Sequence, residues 1–347
     1  MPDQQSPGGA AEPNRRPTMG DVAARVGVSR QLVSLVMRDA AGPSDETRRR
    51  VRAAAEELGY RPHTAAQLLR RSRSRRIGVL FDMDQPHNVE LVEGLYACAQ
   101  DVGYGITLSA DVPCREERQA IEELLGLRSE ALILTGPSSG ASPELEKAAE
   151  QVPVVQVSRS APVPGADLVR TAEAPGMSRA IGYLADLGHR DIVHVDGGAA
   201  LEAEERRRGY RDAMRRHGLA AHARELPGAF TEESGARAAR ELLAGGPLPT
   251  AVVTANDRCA RGLLDVFVRA GVRVPDDVSV IGYDDSRLAH LSFLDLTSVR
   301  QDPAQLAELA VQAVIERLDE GRARAKEFVI TPTLTVRGTS GPARAGE

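Results

Sequence analysis

The stretch TMGDVAARVGVSRQLVSLVMRD, residues 18 to 39, decides how this chain is read. Ala23 is small where two helices must cross closely. Gly27 follows four residues later, where a tight turn needs a positive φ. Val28 points inward, Ser29 is placed to cap the next helix, and Val33 and Val36 supply that helix with a buried stripe. This is the spacing of a helix-turn-helix. Ser29, Arg30, Gln31 and Ser34 remain at the start and on the exposed face of the second helix. Side chains of these types reach base edges and phosphates in a major groove.

Outward from this stretch, a third helix is expected. Ser44 is a good N-cap, Asp45 and Glu46 suit the positive helix start, and Val51, Ala54, Ala55 and Leu58 form one apolar stripe. Gly59 ends it. ELGYRPHTAAQLLR (57–70) follows, with Pro62 fit to open a short hinge helix through Arg70. From Thr18 to Arg76 there are 13 Arg against 6 Asp or Glu, a net of +7. Residues 1–17 sum to zero, so a chain of net charge −5 leaves −12 for residues 77–347 (−5 − 7 = −12). A basic head on an acidic body offers one end to DNA. Residues 1–17, rich in Pro, Gly and Gln and without an apolar core, read as a disordered tail rather than a signal peptide.

From Ile77 the texture changes. IGVLF, GITLS, ALILT, PVVQV, DIVHV, TAVVT and VSVIGY are short apolar strands, separated by helical stretches such as 202–217, 232–244 and 304–319. Repeated strand-helix units imply an α/β fold with parallel sheets covered on both faces. There are too many units for one compact sheet, so two lobes with a cleft between them are expected. No apolar run is long enough for a transmembrane helix. Cys98, Cys114 and Cys259 are odd in number and far apart, which suits a reduced, cytoplasmic protein.

The helix-turn-helix, YRPHTAAQLLR, IGVLF, LADLGHRDIVHVDGG, ERRRGYRDAM, FTEESGARAARELL, PTAVVTANDRCARGLL, VPDDVSVIGYDDSRLA and LTSVRQD together resemble the lactose-repressor (LacI/GalR) family of transcription factors. The likeness runs from about Thr18 to about Gly338 in one order. It implies a homodimeric, operator-binding regulator with a periplasmic-binding-protein-like core. The expected domains are a helix-turn-helix domain at 18–61, a hinge helix and basic linker at 62–76, and an effector-binding and dimerisation core at 77–340. Within the core, the N-lobe takes 77–171 and 302–330, and the C-lobe takes 172–301 and 331–340. The resemblance adds Leu35 to the recognition positions, where an apolar side chain suits a thymine methyl and cannot pair with guanine. It adds His63 and Leu69 in the hinge, with Leu69 as a minor-groove wedge.

For the cleft, the resemblance marks Arg206, Asn256 and Asp284, with Gln301 beside them. An Arg, an Asn and an Asp converging on a cleft suit a sugar or a related polar metabolite, whose hydroxyls both donate and accept. The N-lobe departs from the family. QPHN stands where aromatic rings are common, putting His87 and Asn88 there, and Ser158 replaces an Asp. Asp82 is near in sequence, and Phe230 and Tyr283 offer apolar surface. A phosphorylated, aminated or nucleoside-like effector stays open.

Other signals are decoys. Gly136-Pro-Ser138-Ser-Gly140 has the spacing of a nucleophile elbow but lies in a Pro- and Ser-rich loop without a partnered His and acid. His189 and His194 lack metal-ligand spacing. No Gly-rich fingerprint opens a helix after a strand. No catalytic residues, metal or cofactor are therefore expected. The expected function is a sequence-specific transcriptional regulator, a repressor, acting on a pseudo-palindromic double-stranded operator under the control of a small molecule. The rival is a small-molecule-binding protein without DNA function, which the basic head disfavours.

Overall fold

The computed structural model describes residues 17–61, 73–112, 114–136, 143–158 and 163–344. Residues 1–16 of the expected tail lie outside these, as do the expected hinge helix with His63 and Leu69 and most of the Gly136–Gly140 loop. The chain separates into two units, Met1–Ser74 and Arg75–Glu347.

The first unit is three helices, α1 (Met19–Val26), α2 (Arg30–Met37) and α3 (Asp45–Glu57). Each start is fixed by a side-chain cap. Thr18 and Asp21 form a reciprocal capping box on α1. Ser29 Oγ accepts from the Leu32 amide at 3.1 Å, and Ser44 Oγ from the Thr47 amide at 3.3 Å. Such caps satisfy amides that a helix start leaves without partners. Gly27 ends α1 at φ 73°, a left-handed conformation that glycine adopts without strain. Val22, Ala23, Val33, Val36, Val51, Ala54, Ala55 and Tyr60 form the small core. Arg50 ties α3 to the turn by donating to the Val26 carbonyl at 2.8 Å.

The second unit holds two six-stranded sheets. The first sheet collects β1 (Arg76–Asp82), β2 (Gly105–Asp111), β3 (Ala131–Thr135), β4 (Val154–Val157), β5 (Asp167–Thr171) and β11 (Glu327–Ile330). Its order is β11-β5-β4-β3-β1-β2, and every pairing is parallel. The second sheet collects β6 (Ile192–Val195), β7 (Arg224–Leu226), β8 (Ala251–Thr254), β9 (Ser279–Asp284), β10 (Thr297–Arg300) and β12 (Thr333–Thr335). Its order is β12-β10-β9-β8-β6-β7, parallel except at the β10–β12 edge. Central strands such as ALILT and AVVT are buried throughout, as parallel sheets covered on both faces require.

The helices between the strands are α4 (Pro86–Asp101), α5 (Glu117–Gly126), α6 (Pro143–Gln151), α7 (Glu173–Asp186), α8 (Leu201–Arg216), α9 (Glu232–Ala244), α10 (Asp257–Arg269) and α11 (Pro303–Leu318). The chain leaves the first sheet after β5, returns to it through α11 and β11, and ends against the second sheet. Each sheet is packed on both faces: Leu91, Leu95 and Leu306 lie with Val79 in one cluster, and Leu124 and Leu145 with Leu132 in another. Leu263 and Phe267 pack with Val252, and Met177 and Tyr210 with Val253. His189 and His194 serve this packing, with ring nitrogens 2.9 and 3.0 Å from the Gly341 and Val253 carbonyl oxygens. No helix among the described residues is long and apolar enough to cross a membrane.

Because all four of these clusters draw only on residues from Ile77 onward, a fragment beginning at Arg75 should fold without the head. Circular dichroism should show mixed helix and strand with one cooperative thermal transition; a fragment with no transition contradicts the division.

Candidate functional site

The first unit presents one exposed polar surface. Arg30 and Gln31 are exposed on the first turn of α2, and Ser34 and Leu35 are half-buried one turn on. Thr18, Met19 and Gly20 from α1 and its cap join Arg30, Gln31, Ser34 and Arg38 around a shallow depression. The Arg30 guanidinium lies over Gly20, where a side chain would press against it. Ser29 spends its acceptor on the helix cap and keeps its hydroxyl proton to donate.

The second unit contains a cavity where the C-terminal ends of both sheets meet, the usual place for ligands in open α/β sheets. Its empty space, counted out to the open mouth, is about 530 Å³. His87, Ser158, Arg206, Asn256, Asp284 and Gln301 all line it. Asp82 does not. Its Oδ1 accepts from the Asp84 amide at 2.8 Å, and its Cβ packs close to Gly136, which lines the cavity in its stead. Lying near the end of β1 was not enough to aim it inward.

Arg206 is the centre of the arrangement, and only 3% exposed. It projects from α8, which comes close to the start of α7 because Gly209 has no side chain. A Cβ there would stand 2.6 Å from the Ala174 carbonyl oxygen. The approach brings Arg206 Nε to Glu173 Oε2 at 2.8 Å. One terminal nitrogen donates to the Ala255 carbonyl at 2.5 Å, and the other lies 3.9 Å from Asp284 Oδ1. The guanidinium also sits 3.7 Å over the Tyr283 ring and 5.4 Å from that of Phe230. Burial alone would lower the Arg206 pKa, but the charges of Glu173 and Asp284 outweigh it and raise it.

Asp284 ends β9 at φ 105°, a strained conformation for a residue with a side chain. Gln301 Nε2 donates to its Oδ1 at 2.6 Å. Burial pushes its pKa up to about 6, against the pull of Arg206 and Gln301. Behind it, Asp257 is held by Ser286 and Ser298, and its pKa is raised by burial and by the charge of Asp284. Asn256 has two tasks. Its Oδ1 accepts from the Cys259 amide at 2.9 Å as the cap of α10, and its Nδ2 donates to Gln85 Oε1 of the other lobe at 3.2 Å.

On the first lobe, α4 starts at Pro86, which suits the first helical turn. His87 and Asn88 therefore lie on α4 and face the cavity rather than occupying a loop. Burial takes the His87 pKa down to about 4, so its ring is neutral at ordinary pH. Both its ring nitrogens, Ser158 Oγ and Gln301 Oε1 are buried without hydrogen-bond partners among the described residues. Two further cross-lobe links lie outside the cavity. Arg258 donates to the Asp84 carbonyl at 2.8 Å, and Arg287 pairs with Glu93 while its amide donates to Glu90 at 2.8 Å.

Glu173 and Glu202 line the cavity and were missed in the sequence. Glu202 had a usable signal, four residues before Arg206 and so on the same helix face. Glu173 had none, since only the packing of α7 on α8 brings it to Arg206. Phe230, read only as apolar surface, lines the cavity, while Tyr283 lies behind Arg206.

Comparison with known proteins agrees with both halves. Residues 18–63 match the model for bacterial regulatory proteins of the lacI family, and residues 181–340 match that for a periplasmic binding protein-like domain. The ribose operon repressor of Escherichia coli (strain K12) is 33% identical over 330 residues, covering 93% of this chain and 99% of its own. The crystal structure of a LacI transcriptional regulator from a Rhodococcus species is 42% identical, with a TM-score of 0.74 over 78% of this chain and all of its own. The lac repressor dimer bound to operator and an anti-inducer superposes with a TM-score of 0.79 at 27% identity, over 94% of this chain and 100% of that one. With its helix-turn-helix, its two parallel sheets and a similarity that spans nearly the whole of both sequences, this chain belongs to the LacI family of bacterial regulatory proteins.

Proposed function

We propose that this protein is a cytoplasmic transcriptional repressor, without enzymatic activity, whose operator binding responds to a small polar effector in the cavity between its lobes. The observation that carries the reading is the pairing of an exposed, basic recognition helix with a buried polar cavity in one chain. Arg30 would read guanine through two parallel hydrogen bonds, Gln31 adenine, and Leu35 a thymine methyl. Ser29 and Ser34 would contact phosphates and fix the register. His63 and Leu69 are proposed as hinge contacts, with Leu69 as the wedge, on the family resemblance alone. A homodimer would present two such heads to a two-fold symmetric site. Support for a sugar-like effector comes from the cavity's mixture of Arg, Asn, Asp and Gln side chains and from a relative that is a repressor of a ribose operon.

The DNA half is tested with an operator selected from a random duplex pool. Arg30→Ala should weaken binding to it by about 1–3 kcal/mol and relax the choice of base at one position of each half-site. A variant with unchanged affinity and unchanged preference removes Arg30 from base reading.

The cavity half makes a prediction about stability. Burial raises the Asp284 pKa to about 6, above its ordinary 3.8. Between those values the unfolded chain has lost this proton and the folded chain has kept it, so stability falls as pH rises from about 4 to about 6. Arg206, Glu173, Asp257 and Gln301 face this carboxylate. Asp284→Asn removes the penalty. It should hold or raise the Tm of the ligand-free protein at pH 7–8 and flatten that slope, while abolishing the effector response of operator binding. A lower Tm together with a normal response would show that Asp284 is a structural residue only.

A further inference from the structure

We propose that Gly20 is a positioning residue for operator reading: it gives the Arg30 guanidinium a seat at the start of α1 and so sets which base Arg30 reaches. The inference rests on reading Arg30 as a base-contacting residue. Gly20 is the second residue of α1. Glycine is a poor choice there, because it loses more backbone freedom than alanine and weakens a helix. Its backbone does not call for glycine either. It is ordinary helix, unlike Gly27 at the other end, which takes a φ of 73°. Conformation therefore leaves this glycine unexplained.

Space explains it. A Cβ at Gly20 would stand 2.7 Å from Arg30 Nη2, 2.9 Å from Nε and 3.1 Å from Cζ. These are its three nearest neighbours, and all belong to one guanidinium, which occupies the space that any other side chain at position 20 would fill. The rest of the turn has other tasks. Thr18 and Asp21 form the capping box, and Met19 packs on the helical core. Gly20 is left to line the same depression as Arg30, Gln31 and Ser34.

A second observation concerns what else holds Arg30. Other arginines of the head are tied to the protein: Arg25 to Glu57 at 2.5 Å, Arg38 to the Ser34 carbonyl at 3.1 Å and Arg50 to the Val26 carbonyl at 2.8 Å. Arg30 has no hydrogen bond or ion pair among the described residues, so its place is set by packing and its donors remain for DNA. A long side chain with a planar fork reads a base only when the fork lies in one place. A seat against α1 narrows its placements beforehand and reduces the freedom lost on binding. A methyl group at position 20 pushes the guanidinium away by about 1 Å, to ordinary contact distance. The fold absorbs that shift easily, because the end of an arginine is flexible. A pair of hydrogen bonds to one base does not, because both depend on distance and angle.

The test is a double-mutant cycle on the full chain with Gly20→Ala, Arg30→Ala and both together. Binding is measured by fluorescence anisotropy at fixed salt, on the operator selected by the unaltered protein and on its single base-pair variants. Gly20→Ala should weaken operator binding about fivefold or more, the low end for one lost bidentate contact, and relax the choice at the same base pair as Arg30→Ala. Its Tm should hold or rise, since alanine suits a helix better than glycine. In the Arg30→Ala background the same substitution should change nothing. Unchanged preference in Gly20→Ala overturns the inference, as does a lower Tm, which makes the glycine a residue of the fold. An equal loss in both backgrounds also overturns it, assigning Gly20 to close backbone contact with a phosphate. These three outcomes leave Arg30 as a base reader. If Arg30→Ala itself changes neither affinity nor preference, base reading fails and the inference with it.

Discussion

A guanidinium shut away from water is the constraint around which the larger unit is arranged. An unpaired buried charge costs several kcal/mol, so the fold must surround Arg206 with partners. It draws them from separate segments: Glu173 from the start of α7, the Ala255 carbonyl beyond β8, and Asp284 and Tyr283 from β9. Each partner sits at or just beyond the end of an element, so the elements must end where they do. Gly209 and the capping Asn256 serve the same geometry, one by letting α8 approach α7, the other by fixing the start of α10. The pair is weak evidence for stability in itself. Its effect is to tie the second lobe's wall together through contacts from α7, β8 and β9.

The first lobe's wall is held differently. Two of its polar groups, the His87 ring and the Ser158 hydroxyl, have no partners among the described residues, and few links join it to the second lobe. The Arg287–Glu93 pair is well exposed and so contributes little. Asn256 to Gln85 and Arg258 to the Asp84 carbonyl are single hydrogen bonds. A preorganised wall facing one with unmet polar atoms, across weak links, is the construction expected of a cleft whose closure depends on what lies inside it.

Much of this was legible because its signals are local. The head could be read from Gly27, Ser29 and Ser44, each of which fixes a helix end within four residues of itself. The alternation of apolar strands and helices gave two lobes for the same reason. Arg206, Asn256, Asp284 and Gln301 were legible through the family pattern, since three of them sit at or next to strand ends. Asp82 misled because its place near the end of β1 does not reveal where its side chain turns. Glu173 stayed hidden because its value comes from a contact 33 residues away across two packed helices. Pro86 starts α4 and so sets His87 on the first turn of a helix that lines the cavity.

The energetics of the proposed switch follow from how the polar atoms divide between the lobes. A ligand that binds two states equally shifts nothing, however tightly it binds. Here Arg206, Asp284 and Gln301 belong to one lobe, and His87 and Ser158 to the other. A ligand held by the second lobe alone gains the same contacts in an open or a closed cleft, and these contribute affinity without coupling. Only the bonds to His87 and Ser158 depend on closure. Two such bonds at about 0.5–1.5 kcal/mol each give about 1–3 kcal/mol of difference between the states. That is the usual size of a coupling free energy between two sites. The residues that depart from the family pattern, His87 and Ser158, are thus the ones through which a ligand would act, while those that follow it would hold the ligand in place.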